Sequence, residues 1–414
     1  MTKKEDIEIM APVGTWESLT AAVQAGANAV YFGIDKLNMR SQSTVNFTLD
    51  DLTRIVQICE EHQMKSYLTL NTVMYDQDLH LLHELIDAAK KNKITAVIAS
   101  DIAAIQYAQS IDVEVHISTQ VNVSNIDAVK FYAHFADVVV LARELSLDQI
   151  AQIASQIRDQ NICGPSGKQV RIELFIHGAL CMAISGKCYL SLHQNNKSAN
   201  RGSCLQMCRR SYIVSDKETN QELEIDNQYI MSPKDLCTIG FLDKILEAGV
   251  TVLKIEGRAR PPEYVYRVVS CYKAGLEACL NGTFNQELID NLTQKLATVF
   301  NRGFWGGYYM GKTMGEWSSS YGSKSTKKKL YIGKSMNYFS NVKVAEFLIE
   351  TGDIKLGDEI LIIGPTTGVV EMIVGEIRVN LKPVNESIKG ERFSIEVPQQ
   401  IRRSDKMYKL IDVG

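Results

Sequence analysis

Four of the nine cysteines in this 414-residue chain fall within one stretch, 173–210, at Cys181, Cys188, Cys204 and Cys208. The other five, Cys59, Cys163, Cys237, Cys271 and Cys279, are scattered, as small buried apolar residues are. The clustered four are spaced Cys-x6-Cys-x15-Cys-x3-Cys. Thiolates that converge hold a soft metal ion or an iron–sulfur cluster. A zinc site would show tight Cys-x2-4-Cys pairs on both sides, and only Cys204 with Cys208 makes one. Gly178, Gly186 and Gly202 make the stretch loop-like, unlike a set of unconnected core thiols. An iron–sulfur cluster asks for four thiolates from a loop that can wrap a compact object, and its spacings vary widely. Zinc, buried thiols and a cluster all remain open on spacing, with the cluster the best fit.

The elements that must position this loop are legible over the first three hundred residues. Short β-branched runs alternate with amphipathic helical patterns. Strands are expected at 7–11, 29–33, 66–71, 96–99, 114–118, 138–141, 171–176 and 252–256. Eight strands, most followed by a helix, predict an α/β fold, a (β/α)8 TIM-like barrel, with an open doubly wound sheet as the alternative. No G-x-G-x-x-G follows the first strand, so dinucleotide binding has no support. In a barrel, chemistry sits where strands end. The polar residues there are Asn71, Ser118, Gln120, Asn122, Arg143, Glu173, His177, Glu256 and Arg258.

The domain reading is a barrel over 1–317 with a cysteine-cluster insertion at 173–240, a linker at 318–329 rich in small polar residues and lysines, and a small all-β barrel over 330–414. The lysines Lys327, Lys328 and Lys329 read as a solvated linker or, less often, as part of an RNA-facing surface. Net charge is -3, so no global polycation signals nucleic acid, although a local basic face remains open. The start of the chain lacks the apolar core of a signal peptide, and no apolar run is long enough to span a bilayer. An odd number of cysteines in such a chain argues against a disulfide framework. A cytoplasmic protein is expected, with no membrane partner.

The run E-x-F-x-H-G-A-L-C-x4-S-G-x-C-Y-L-S from Glu173, continuing to Arg209, resembles the signature of the collagenase-like peptidase family U32. So do APVGTWESLTAAVQAGANAVYFG near the start, KIEGRARPPEYV (254–265) and NRGFWGGY (301–308). The resemblance spans the barrel nearly end to end. It implies two kinds of activity. One is peptide hydrolysis, yet no H-E-x-x-H, G-x-S-x-G or S-x-x-K is present. His80, His83 and Glu84 do not fit a zincin, and a thiol protease pairing a clustered cysteine with His177 would leave three thiols idle. The other is prephenate-dependent hydroxylation of RNA with a [4Fe–4S] cluster, most similar to the branch that makes 5-hydroxyuridine at the tRNA wobble position. Ribosomal RNA or a peptide is the alternative substrate, and a non-catalytic RNA-binding or assembly module with a structural metal is a third possibility.

The resemblance implies Cys181, Cys188, Cys204 and Cys208 as cluster ligands, with Cys237 in reserve. On that reading His177, Glu173 and Glu256 are the candidate acid–base groups. Arg143 and Arg258 are expected to pair with the prephenate carboxylates, with Arg40 as a third choice. Asn71, Gln120 and Asn122 complete the expected substrate contacts. Tyr31, Phe304, Trp305 and Tyr308 could stack an extruded base, and Arg201, Arg209 and Arg210 add local positive charge.

Overall fold

The computed structural model describes residues 7–42, 46–213, 229, 231–311 and 315–413. The charged first residues and most of the polar stretch that follows the cysteine segment lie outside the described residues. Strands β1 (Glu8–Pro12), β2 (Ala29–Phe32), β3 (Lys65–Leu70), β4 (Ala96–Ala99), β5 (Val115–Ile117), β6 (Val138–Val140) and β7 (Arg171–Gly178) pair in parallel, each with the next. A short strand, β8 (Asp235–Cys237), runs antiparallel to the end of β7, and β9 (Val252–Ile255) then pairs in parallel with both β7 and β1. This closes an eight-stranded parallel barrel on the eight runs expected from the sequence.

The strands read as continuous apolar runs because each is covered on both sides. Outward residues such as Ile9, Val30, Phe32 and Leu68 pack under the helices in the main core. Inward residues Met10, Ala29, Tyr31, Tyr67, Ala96, Ile98, Val138 and Val252 form a separate small cluster inside the barrel. The helices are α1 (Trp16–Gln24), α2 (Leu52–Glu61), α3 (Leu79–Lys91), α4 (Ile102–Ser110), α5 (Ile126–Ala133), α6 (Leu147–Asp159), α7 (Leu190–Asn195), α8 (Leu242–Glu247), α9 (Pro262–Asn281) and α10 (Gln286–Ala297). Thr15, Asp101, Asn125, Ser146 and Asn285 cap the starts of five of them by accepting from free backbone N–H groups. A two-residue strand, β10 (Phe304–Trp305), pairs with β8.

Residues 318–326 do not swing free as a linker. Their backbone bonds to Ser232, Asn301 and Ala297, and Ser318 is fully buried. Lys327, Lys328 and Lys329 open β11 (Lys327–Phe339) instead of ending the linker, because they pair with the last strand of the chain.

Beyond β11 follow β12 (Val344–Ile349), β13 (Asp353–Lys355), β14 (Glu359–Gly364), β15 (Gly368–Ile373), β16 (Ile377–Val379), β17 (Lys382–Val384), β18 (Glu386–Ile388), β19 (Arg392–Glu396) and β20 (Lys406–Asp412). The all-β module is an eight-stranded antiparallel sheet in the order β15-β14-β20-β11-β12-β19-β16-β17, with β13 and β18 as a separate pair. Strands β15 and β17 end the order, so the sheet is not hydrogen-bonded into a closed ring.

The module docks on helices α1 and α9 of the barrel. Thr20 Oγ1 donates to the Pro365 carbonyl at 2.7 Å, and Gln24 both donates to the Thr367 carbonyl at 2.7 Å and accepts from the Val369 N–H at 2.9 Å. Lys329 pairs with Glu263 at 2.6 Å, and Arg267 pairs with Glu371. Leu361, Ile363 and Val369 join the barrel core. Helices α1 and α9 start where their strands end, so Glu17 and Glu263 mark the mouth end of this contact.

Candidate functional site

A cavity of about 220 Å³ lies at the C-terminal mouth of the barrel. Strand ends and the cysteine loop build its wall together. The loop is clamped onto the mouth by close backbone approach. A Cβ on Gly186 would lie 2.9 Å from Gln120, and one on Gly202 would lie 2.0 Å from Ser41 Oγ; both glycines have positive φ. Asn122, itself left-handed, donates from Nδ2 to the Gln120 carbonyl at 2.8 Å and the Ser185 carbonyl at 2.9 Å.

All four clustered thiols line this cavity. Burial pushes the Cys208 thiol up, and the charges that Cys181, Cys204 and Cys188 would carry push it further, against the pull of Arg209. Charge on any of the other three thiols is thus felt at Cys208. Arg40 faces Cys204 closely enough to feel its charge, and Arg209 feels Cys208 and Cys181. No three described His, Cys, Asp or Glu side chains close up as ligands of a single ion. Four soft donors around one cavity, with guanidinium groups beside them, suit a sulfur-ligated cluster better than a lone hard cation. Burial takes Cys59 to about 12 and Cys237, Cys271 and Cys279 to about 11. Cys237, the reserve ligand, lies in the core within reach of the Tyr272 hydroxyl, 3.9 Å away.

The wall is strongly cationic. Arg40, Arg143, Arg209, Lys254, Arg258, Arg260 and Arg302 line it, and among the described residues Glu256 is the one carboxylate that does. Glu256 accepts from Arg40 Nη2 at 3.0 Å and from the Tyr31 hydroxyl at 3.3 Å. Burial pushes its carboxyl up, but Arg40, Arg258 and Arg143 outweigh that and hold it below the usual range. It is a counter-ion for the arginines and stays ionised, not a proton donor.

Arg258 is buried and donates from Nη1 to Asn38 Oδ1 at 3.1 Å and Thr69 Oγ1 at 2.8 Å. Gly33 makes room for it, since a Cβ there would lie 2.8 Å from Nη1. Arg143 donates to Ser185 Oγ at 2.9 Å and lies over the Phe175 ring. Among the described residues neither Arg143 nor Arg258 is within ion-pair distance of a carboxylate, so both keep donors for an anionic ligand. Asn71 and Gln120 line the wall with Ser118, linked by weak amide contacts at 3.5 Å. Asn122 lies behind it as the clip described above.

Two of the expected acid–base groups sit elsewhere. Glu173 points into the barrel with no exposure, takes the Lys254 ammonium at 2.6 Å, and is kept ionised by Lys254 and His116 against the effect of burial. His177 lies under Tyr264, Tyr272 and Phe304, 1% exposed, with Nδ1 3.4 Å from the Tyr272 hydroxyl. Burial, helped by Arg260, takes it down to about 3, so it stays neutral, and it does not line the cavity. Its backbone carbonyl instead accepts from the Glu256 N–H at 2.8 Å and sets that residue's place.

Of the aromatics, Tyr31 lines the cavity. Phe304, Trp305 and Tyr308 pack against the core, Trp305 edge-on to Tyr308. Arg201 is tied to Asp78 and Tyr75, Arg209 spans the carbonyls of Leu180 and Pro233, and Arg210 is exposed. Lys254, Arg260, Arg302 and Ser185 were not singled out in the sequence. The first two stand in the KIEGRARPPEYV run, whose density of charge was the available signal.

Comparison with known proteins matches residues 14–319 to the family described as Peptidase family U32. A collagenase of Porphyromonas gingivalis is 59% identical over 404 residues, covering 98% of each chain. A tRNA hydroxylation protein of Bacillus subtilis is 31% identical over 421 residues, covering 99% of this chain and 96% of its own. A 23S rRNA 5-hydroxycytidine synthase of Escherichia coli is 32% identical over 275 residues, 66% of this chain and 40% of its own. No described helix is long and apolar enough to cross a membrane.

Proposed function

This chain belongs to peptidase family U32, and on that premise we propose that it is an RNA-hydroxylating enzyme, converting a tRNA wobble uridine to 5-hydroxyuridine with prephenate as hydroxyl donor. Enzymatic activity is common to the relatives' names. Those names alone put the peptidase reading first, since the collagenase is 59% identical and the two RNA-directed relatives are 31% and 32% identical. The observation that carries our reading is the pocket: four thiols from one loop open on a cation-lined cavity that no histidine lines among the described residues.

The thiol-protease form of the alternative needs a base beside its cysteine. His177, the residue expected to serve, is buried under Tyr264, Tyr272 and Phe304 and does not line the cavity that the thiols line. Four thiols lining one cavity suit a [4Fe–4S] cluster held by Cys181, Cys188, Cys204 and Cys208, which when bound supplies electron-transfer chemistry that side chains lack.

The chain's own residues bind and orient. Prephenate carries two carboxylates, and Arg143 and Arg258 offer guanidinium forks for them. Glu256 and Tyr31 keep Arg40 and the cavity wall in register. Lys254 stands at the floor as an ammonium donor between the Tyr31 and Phe175 rings, 4.7 and 5.5 Å from their centroids. Asn71 and Gln120 present amides suited to a base edge once a nucleotide is out of its stack. A second cavity of about 520 Å³, in the β-module, is bordered by Arg392, Arg402 and Arg403 and by Glu346, which pairs with Arg392 at 3.9 Å, and its net positive lining suits a polyanionic substrate.

The test is anaerobic purification of the full chain with iron, sulfide and zinc quantified, beside Cys204→Ser. About four irons and four sulfides per chain, lost in the variant, are expected for such a cluster. Zinc, or metal-free protein that cleaves gelatin, would return the collagenase-like reading to first place.

A further inference from the structure

Beneath the floor of the pocket the barrel interior carries ionisable groups that the proposed reaction leaves unused. Lys254 Nζ donates to Glu173 Oε1 at 2.6 Å. The other oxygen, Oε2, faces His116 Nδ1 at 3.7 Å, and both atoms are buried without a hydrogen bond. On the far side of the ring, His116 Nε2 lies 3.3 Å from Glu114 Oε1. Glu114 stands just before β5, at the rim opposite the pocket, with its side chain 40% exposed. An ammonium, a carboxylate, an imidazole and a carboxylate thus run in contact from the pocket floor to solvent at the other end of the barrel.

Stability alone does not call for this column. A Lys–Glu pair would be complete without His116, and each unpaired buried polar atom costs about 1–3 kcal/mol. The strands β2, β4, β6 and β9 fill the same interior with Ala29, Ala96, Val138 and Val252. A gap of 3.7 Å is short for a bridging water, whose two bent hydrogen bonds span roughly 4.5 Å. The two orphan atoms can only meet each other, by a small movement of either side chain. Such long contacts in a free enzyme commonly tighten in use.

We propose that Glu114, His116, Glu173 and Lys254 form a proton relay between the pocket and the solvent at the opposite mouth of the barrel. When Lys254 gives a proton from Nζ to an acceptor in the pocket, His116 passes its Nδ1 proton to Glu173. Glu173, after its carboxyl turns, passes that proton on to Nζ. Uptake of one proton from water by way of Glu114, with reorientation of the imidazole, restores the imidazolium. One proton has moved from solvent to pocket, only N–H and O–H bonds have formed or broken, and nothing is oxidised or reduced.

The groups facing the column are Glu8 from β1, Tyr31 from β2, Lys65 and Tyr67 from β3, and Arg171 from β7. Burial alone would strip His116 of its proton, but Glu114 and Glu173 outweigh burial and raise it, so the column is ionised at rest.

The relay serves whatever chemistry the pocket performs, so its test needs no turnover. Nitrogen-15-labelled lysine in the full-length protein lets exchange of the Lys254 ammonium protons with water be measured by NMR, in wild type, Glu114→Gln and Glu114→Asp. Because Glu114 is partly exposed at the rim, glutamine is a mild replacement there. The relay predicts exchange slowed by about tenfold or more in Glu114→Gln and largely kept in Glu114→Asp. Exchange unchanged in Glu114→Gln would mean that protons reach Lys254 from the pocket side, and would overturn it.

Discussion

Replacing Glu173 with glutamine tests whether the barrel interior is charged as described. Glutamine keeps the shape and one acceptor oxygen for Lys254, so what is lost is the negative charge. Glu173 is fully buried, and its two neighbours, Lys254 at 2.6 Å and His116 at 3.7 Å, are both cations. Removing one partner of a buried pair costs about 3–5 kcal/mol, and the retained hydrogen bond puts Glu173→Gln near the lower end. For a chain of this size that is roughly 3–5 °C in Tm. The three tryptophans, Trp16, Trp305 and Trp317, all precede the β-module, so their fluorescence in urea or on heating reports the barrel itself.

The loss must also depend on pH. In the wild type the His116 pKa is raised above 6.5, so its contribution is fully present below 6.5 and is lost as pH rises through the folded value. In the variant His116 keeps only Glu114 and faces Lys254 without a screen. It gives up its proton more readily, and its contribution below 6.5 shrinks or reverses. The gap between the two proteins should be widest below pH 6.5 and narrow above the wild-type folded value. Adding Lys254→Met to Glu173→Gln should recover part of the loss. A loss below about 1 kcal/mol that does not vary with pH would refute a charged column and, with it, the relay.

Other perturbations have clear outcomes. Cys208→Ser should abolish iron retention in anaerobic preparations, whereas Cys237→Ser should keep it, since Cys237 is a core thiol held at about 11. Arg258→Lys should raise KM for prephenate about tenfold or more in steady-state assays, because a lysine cannot replace a guanidinium fork held by Asn38 and Thr69. Paired Arg402→Ala and Arg403→Ala changes should weaken tRNA binding and lower the slope of log affinity against log salt by about two. His177 lies at about 3 in the fold against 6.5 unfolded, so the stability it confers is present above 6.5 and is lost as pH falls. His177→Asn should flatten that acid limb in urea titrations while leaving the pH profile of activity without a new step.

The barrel was legible because parallel strands covered on both faces read as apolar runs, and all eight fell where expected. The cysteine loop was legible from clustering alone. Position near a strand end did not disclose which way each side chain points. Glu173 and Phe175 point inward, and simple alternation would send His177 inward after them. The pairing of β7 with β9 slips between Phe175 and His177, which turns His177 out toward Tyr264 and Tyr272 on α9. No residue type announces that slip. Glu173 was hidden for the opposite reason: a charged residue near a strand end looks like a mouth residue, yet here it pairs with Lys254 inside. Lys254 and His116 gave no signal of their own, because each matters only through the partner that the barrel brings across. Lys327, Lys328 and Lys329 looked like linker because their pairing partner, β20, lies some eighty residues away in sequence.

The central claim is that this pocket places a hydroxyl group on RNA. The most direct measurement is nucleoside mass spectrometry of unmodified tRNA incubated with anaerobically purified protein and prephenate, beside a gelatin-cleavage assay on the same preparation. The account predicts a gain of one oxygen atom on a uridine, absent with Cys204→Ser, and intact gelatin. Unmodified tRNA together with gelatin cleavage by the same protein would contradict it.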